Sequence, residues 1–83
     1  PGAGIDYINR KIEESPDVIA YKKTLADIFI DEKNWSGARP VLQQIITIKK
    51  DDKQSILNLA MVYKQEGYVN RALEMYLTAA SLD

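Results

Sequence analysis

Residues 56–80 read ILNLAMVYKQEGYVNRALEMYLTAA and contain two amphipathic segments separated by Gly67. On each side of the glycine, apolar residues recur at the spacing of one face of an α-helix. They are Ile56, Leu59, Ala60 and Tyr63 in the first segment and Ala72, Leu73, Tyr76, Leu77 and Ala80 in the second. Gly67 readily adopts the left-handed conformation that ends many helices. This stretch therefore predicts a helix–turn–helix unit.

The same helical spacing occurs in three segments nearer the start of the chain. The apolar positions are Ile5, Ile8 and Ile12, then Val18, Leu25, Ala26, Phe29 and Ile30, then Val41, Leu42, Ile45, Ile46 and Ile48. No segment shows the sustained alternation that is typical of a strand. The sequence therefore predicts an all-α protein of five helices joined by short turns.

Polar residues at the ends of these segments indicate where the helices begin. Ser15 followed by Pro16 predicts the start of the second helix, and Asn34 predicts that of the third. Asp51, with Gln54 three residues later, resembles a capping box at the start of the fourth helix. We expect each of these capping side chains to accept a hydrogen bond from a free backbone N–H in the first turn of its helix.

The sequence also contains an internal repeat. Its apolar residues recur at the spacing that separates Leu25 from Leu59. Small and large apolar residues recur together, so that Leu25, Ala26, Phe29 and Ala38 fall on Leu59, Ala60, Tyr63 and Ala72. Small residues at matched positions allow paired helices to approach closely, and the large residues beside them fill the remaining space. The matches therefore fall where stacked helices must touch.

At these residues the sequence resembles the tetratricopeptide repeat (TPR) family, whose helix–turn–helix units are about 34 residues long and stack into a right-handed α-solenoid. The spacing of the repeat in this chain agrees with that length. The last repeat carries the pattern most fully. It has Leu59-Ala60-x-x-Tyr63 in its first helix, Gly67 in the turn and Ala72 in its second helix. The resemblance implies a short α-solenoid of about five helices.

The preceding repeat departs from the family pattern at three positions. It has Lys22, Lys33 and Lys50 where the family usually has a large apolar residue, a glycine and a proline. Pro16 matches the closing proline of a still earlier repeat. The resemblance therefore implies a partial repeat at 1–16, a repeat at 17–50, and a repeat at 51–83 that lacks its closing residues.

The composition limits the chemistry that the chain can perform. It has 83 residues, with eleven Lys and Arg against twelve Asp and Glu, a formal net charge of −1, and no Cys or His. The thiolate nucleophile, the commonest general base and the commonest metal ligand are therefore all missing. Adjacent carboxylates near the helix ends are interpreted as solvated or capping groups. We expect no enzymatic activity, no cofactor and no bound metal.

The charge balance and the short apolar runs also limit the partners. A near-neutral balance of mixed signs argues against binding to nucleic acid. The longest uninterrupted apolar run, 59–63, is far shorter than the roughly 20 residues that cross a bilayer. No signal-peptide pattern opens the sequence. We expect a soluble module that inserts into no membrane and has a protein or peptide partner, in a compartment that the sequence leaves open.

The resemblance implies a concave groove in which the first helices of successive repeats hold an extended peptide or a partner helix. The residues that it assigns to this partner-binding groove are Lys23, Thr24, Asp27, Ile30 and Asp31 from the second helix and Gln54, Leu57, Asn58, Met61 and Gln65 from the fourth. They lie off the core stripe of each helix. The apolar members Ile30, Leu57 and Met61 either contact the partner or pack against a neighbouring helix, and both interpretations stay open.

Some TPR proteins hold the C-terminal carboxylate of a chaperone tail with Lys and Asn side chains. Lys23 and Asn58 stand at two of those positions in this sequence, whereas Asp27 stands where the family has an Asn. The negative charge of Asp27 would repel a carboxylate. We therefore expect no working carboxylate clamp.

The fifth helix predicts an alternative function, self-association. The residues assigned to its self-association face are Leu73, Met75, Tyr76, Leu77 and Ala80. Repeat arrays usually need a polar capping helix for solubility, and none follows this helix in the sequence. The alternative prediction is therefore a homo-oligomer, such as a homodimer, that covers this face.

By the same resemblance, the chain begins with the second helix of one repeat and stops before the closing proline of another. We therefore expect it to be a segment of a larger TPR protein that acts in protein–protein interaction or scaffolding. Residues 1–4 are either native or the remnant of an added sequence.

Overall fold

The computed structural model describes residues 2–82, which form five α-helices. They are α1 (Gly2–Glu14), α2 (Ile19–Asp31), α3 (Trp35–Ile48), α4 (Lys53–Gln65) and α5 (Val69–Ala80). No strand occurs in this range, and the prediction of an all-α protein with five helices is confirmed. Pro1 and Asp83, the outermost residues of the first and last predicted repeats, lie outside the described residues.

Each helix packs against the next one in the sequence, and alanines allow the close approach. Ala26, Ala38 and Ala60 lie on α2, α3 and α4 with no exposed surface. A methyl side chain lets neighbouring backbones come close enough for the larger side chains to interdigitate. The largest fully buried side chains are Leu42, Ile45, Ile56 and Val62. One core cluster extends from Ile8 on α1 to Ala72 on α5 and so connects all the helices.

The turns after α2 and after α4 have the same geometry at equivalent positions of the repeat. The N–H of Lys33 donates to the carbonyl oxygen of Ile30 at 2.9 Å, and the N–H of Gly67 donates to that of Lys64 at 3.1 Å. Lys33 and Gly67 both have positive φ, 58° and 90° respectively. Glycine adopts this conformation freely, whereas lysine adopts it at a cost. The backbone therefore repeats even where the sequence has Lys in place of Gly.

The turns before α2 and before α4 also have matching hydrogen bonds, at positions separated by the length of the sequence repeat. The N–H of Ser15 donates to the carbonyl oxygen of Lys11 at 2.9 Å, and the N–H of Lys49 donates to that of Ile45 at 2.8 Å. In consequence α2 begins at residue 19 and α4 at residue 53. The two helices occupy equivalent positions in the repeating backbone.

The start of α3 agrees with the prediction, and the start of α2 does not. The side chain of Asn34 caps α3 and accepts a hydrogen bond from the N–H of Gly37 at 3.0 Å. Ser15 does not cap α2, which begins at residue 19. Residues 15–18 form the turn that is equivalent to 49–52. The packing of the whole repeat therefore fixes the start of α2 and overrides the local capping signal.

Asp52, and not the predicted Asp51, caps α4. Its Oδ1 accepts a hydrogen bond from the N–H of Ser55 at 3.1 Å. Asp52 is buried, with 5% of its surface exposed, whereas Asp51 is exposed. A carboxylate is rarely buried without a charged partner, and the partner of Asp52 lies on α2.

Candidate partner-binding surfaces

Four of the residues predicted to form the groove surround one small pocket between α2 and α4. Lys23 and Asp27 line it from α2, and Gln54 and Asn58 line it from α4. The rest of its lining is Ala26, Leu42, Ile45 and Ser55. Its volume is about 30 Å³, whereas small-molecule sites usually exceed roughly 300 Å³. The pocket has room for a few water molecules or the tip of one side chain.

Lys23 forms an ion pair with Asp52 at the edge of this pocket. The Nζ atom of Lys23 lies 2.5 Å from Oδ2 of Asp52. Burial raises the pKa of the Asp52 carboxyl group, but hydrogen bonds from Lys23 and Ser55 outweigh burial and hold the pKa below its ordinary value. Asp52 is therefore ionised at neutral pH, where it both caps α4 and ties α4 to α2.

Asp52 and Ser55 are the residues of this surface that the sequence did not predict. The spacing Asp52-x-x-Ser55 is compatible with a helix cap, and this was the one available signal. Nothing local connects Asp52 with Lys23, which lies two helices earlier in the chain. Their contact follows from the way in which α2 and α4 lie beside each other.

Two carboxylates of α2 have no cationic partner among the residues that the structure describes. Asp27 and Asp31 are exposed and lie one helical turn apart, on the same side of α2. Within residues 2–82 neither of them forms an ion pair. The neighbouring Thr24 is engaged with its own helix, because its hydroxyl donates to the carbonyl oxygen of Ala20 at 3.1 Å. The α2 side of the predicted groove therefore carries two negative charges that no ion pair within the described part of the chain neutralises.

The apolar members of the predicted groove differ in burial. Ile30 and Met61 are half-buried and pack against the core cluster, whereas Leu57 is exposed. Gln65, at the end of α4, is exposed as well. We call the complete set of predicted groove residues the α2–α4 face. It is mainly polar, and Leu57 is its one exposed leucine.

A stripe of apolar side chains runs along the outside of α5. Val69, Leu73 and Leu77 follow one another at single-turn spacing and are 66%, 56% and 62% exposed. Tyr76 and Ala80 lie beside them and are also exposed. We call these five residues the α5 stripe. Met75, which the sequence assigned to the same face, is half-buried against the core instead.

Comparison with protein-family models gives no match, and comparison with curated proteins gives none either. Among residues 2–82, no group of three or more acidic side chains is placed to hold a metal ion. In the same part of the chain, no helix has both the length and the apolar character needed to cross a bilayer.

Proposed function

We propose that the chain is a protein–protein interaction module and not an enzyme, and that it binds an extended peptide or a partner helix across the α2–α4 face. The observation that carries this proposal is the recurrence of both kinds of turn at the spacing of the sequence repeat, which makes α2 and α4 equivalent helices. Together with the resemblance to TPR units, it supports a short solenoid whose concave side is lined by these two helices. In this arrangement the chain is a scaffold segment of TPR type.

The charges of the α2–α4 face favour a basic ligand. Lys23 is already neutralised by Asp52, whereas Asp27 and Asp31 have no cationic partner among the described residues. A carboxylate ligand would have to displace Asp52 from Lys23 and would meet the repulsion of Asp27. A Lys or Arg side chain of a peptide would instead meet complementary charge. The proposed ligand is an extended peptide with a basic side chain beside Asp27 and Asp31.

We expect Asp27→Lys to weaken the binding of a basic peptide about tenfold, because it replaces an attractive charge by a repulsive one at the ligand. The probes are three nine-residue peptides of basic, neutral and acidic composition, and fluorescence anisotropy at low ionic strength measures their affinities. The control is Asp17→Lys, which makes the same charge change at an exposed position in the turn before α2.

The proposal requires the basic peptide to bind most tightly of the three. It also requires the loss of affinity to occur in Asp27→Lys and not in Asp17→Lys. Tighter binding of the acidic peptide would contradict it, as would an equal loss of affinity in Asp17→Lys. The second result would show that only the net charge of the chain matters.

A second candidate function, self-association, is favoured by the α5 stripe. Val69, Leu73 and Leu77 expose more than half of their surface on one side of one helix. Monomeric proteins rarely expose large contiguous apolar patches, and such patches commonly mark protein interfaces. A two-fold symmetric pair would place the α5 stripe of one copy against that of the other and so cover both. We propose this homodimer as the alternative to peptide binding.

We expect Leu77→Lys to raise the dissociation constant of this homodimer at least about tenfold, since a desolvated ammonium group would lie in an apolar contact. The matched control is Thr78→Lys, which adds the same charge at the next, polar position of α5. Sedimentation equilibrium over micromolar to millimolar concentrations measures the association. A wild-type chain that stays monomeric at high micromolar concentration would contradict self-association.

A further inference from the structure

A second pocket lies between α3, α4 and the start of α5 and shares no lining residue with the surfaces described so far. Arg39 and Gln43 line it from α3, Tyr63 from α4, and Tyr68 and Arg71 from the start of α5. We call these residues the arginine–tyrosine pocket. Its volume is about 170 Å³, and none of its residues belongs to the pocket between α2 and α4.

The two arginines of the pocket differ in their partners. Arg39 is held by Glu66: its Nε and Nη2 atoms donate to the two carboxylate oxygens at 2.9 and 3.3 Å. Arg71 lies over the ring of Tyr63, with 5.9 Å between the guanidinium carbon and the ring centroid. Among residues 2–82, no carboxylate forms an ion pair with Arg71. Because Glu66 compensates Arg39, Arg71 is the arginine of this pocket whose charge no carboxylate of the described residues neutralises.

The hydroxyl group of Tyr63 is a further donor at this site. Its oxygen accepts a hydrogen bond from Nε2 of Gln43 at 2.9 Å. A phenolic hydroxyl accepts and also donates, so its own hydrogen is available for an acceptor in the pocket. Only 6% of Tyr63 is exposed, and its ring is fixed by an edge contact with Tyr68, with 6.2 Å between the ring centroids. The donor is therefore held in a defined position.

We propose that the arginine–tyrosine pocket binds an anionic side chain of a partner polypeptide, with the charged group between Arg71 and the hydroxyl of Tyr63. A planar guanidinium group and a fixed hydroxyl donor together suit the oxygens of a carboxylate or a phosphate. The tyrosine rings supply apolar walls for the methylene groups of such a side chain. Glu66 forms its ion pair with Arg39, and no ion pair joins it to Arg71 among the described residues. This site differs from the α2–α4 face both in its residues and in the sign of the charge that it attracts.

The test uses the 83-residue chain and three peptides of the form Ac-Ala-Ala-X-Ala-Ala-NH2, in which X is glutamate, phosphoserine or glutamine. Each is titrated into labelled protein at constant ionic strength, and NMR follows the side-chain Nε–H of Arg71 and the ring signals of Tyr63 and Tyr68. The glutamate or the phosphoserine peptide shifts these signals saturably, and the stronger of the two identifies the anionic group. The glutamine peptide, which is uncharged, binds at least about fivefold more weakly.

Variants separate the site from general attraction between opposite charges. Arg71→Gln weakens the binding of the anionic peptide at least about fivefold, whereas Arg10→Gln, the same substitution at an exposed position of α1, leaves it unchanged. Tyr63→Phe keeps the buried ring, removes only the hydroxyl group, and also weakens binding; the far-UV spectrum of each variant establishes that it is folded. Equal binding of the glutamine peptide, or an equal effect of the two arginine substitutions, would overturn the proposal.

Discussion

Replacement of Ile45 by alanine is expected to lower the free energy of unfolding by about 3 kcal/mol. Ile45 lies on α3 with no exposed surface, in the core cluster that connects the helices. It also lines the small pocket between α2 and α4. Shortening this side chain would enlarge an existing space that the surrounding helices do not fill, so the cost includes a cavity as well as lost burial.

This loss is a large fraction of the stability of a chain of this size. A domain of this length typically has a free energy of unfolding of about 4–12 kcal/mol. A decrease of about 3 kcal/mol corresponds to a fall in the melting temperature of about 12–24 °C. Urea and thermal unfolding, followed by the helical circular dichroism signal, measure both quantities.

Ile48→Ala is the matched control, because it makes the same substitution on the same helix. Ile48 is 48% exposed, so its replacement is expected to change the free energy of unfolding by no more than about 0.5 kcal/mol. Equal losses in the two variants would contradict the placement of Ile45 in the core, since only a buried side chain leaves a cavity when it is shortened.

The helices, and the spacing at which equivalent helices recur along the chain, were predictable from the sequence because both depend on buried residues. Apolar side chains at helical spacing must face the core, and the alanines that recur from one repeat to the next mark the places where backbones approach. The backbone repeats with the same period even at Lys33, where the sequence lacks the glycine of the matching position. Packing along the entire repeat outweighs the cost of a lysine with positive φ at one turn.

The starts of α2 and α4 were not predictable, because local capping signals compete with packing. Ser15 and Pro16 form a sound local start signal, yet they lie in the turn that repeats at 49–52. Asp51 and Asp52 are both able to cap a helix, and the sequence does not distinguish them. The turn fixes Asp52 as the residue before α4, as the equivalent turn fixes Val18 before α2. Lys23 then pairs with the Asp52 carboxylate from α2, a contact that no local signal predicts.

In the candidate sites, too, the features that follow from the apolar periodicity were predictable, and the contacts between distant residues were not. The sequence assigned the polar residues of the α2–α4 face to the second and fourth helices because they lie off the apolar stripes, and four of them line the pocket between α2 and α4. It could not show that Lys23 is already paired with Asp52, because the two residues lie two helices apart in the chain. The arginine–tyrosine pocket was not predicted at all, since its residues are scattered over α3, α4 and the start of α5 and form no motif.

Asp52→Ala is expected to lower the free energy of unfolding by about 2 kcal/mol, the sum of a cap and a charge-assisted hydrogen bond. The substitution removes the cap of α4, which is worth about 1 kcal/mol, and it also removes the buried acceptor of Lys23, a hydrogen bond of similar value. Asp52→Asn keeps a side-chain oxygen that caps well and loses only the charge. Its expected cost is therefore about half as large, and the difference between the two variants isolates the cap.

The contribution of the Asp52 charge to the free energy of unfolding decreases as the pH falls. The pKa of the folded carboxyl group is below its ordinary value, so the unfolded chain binds more protons as the pH falls. The stabilisation is complete above the ordinary carboxyl pKa and is lost as the pH falls below that value and through the lowered pKa of the folded chain. The difference in the free energy of unfolding between the wild type and Asp52→Asn should therefore shrink over that window.

The control for this titration is Asp51→Asn, which removes the neighbouring exposed carboxylate. Exposed charges contribute little to stability, so the free energy of unfolding of this variant should stay close to that of the wild type. Urea unfolding at a series of pH values measures all three proteins. The free energies of unfolding of the wild type and Asp52→Asn could differ by the same amount at pH 7 and at low pH. That result would show that the charge of Asp52 does not stabilise the fold. The association of α2 with α4 would then depend on apolar packing alone.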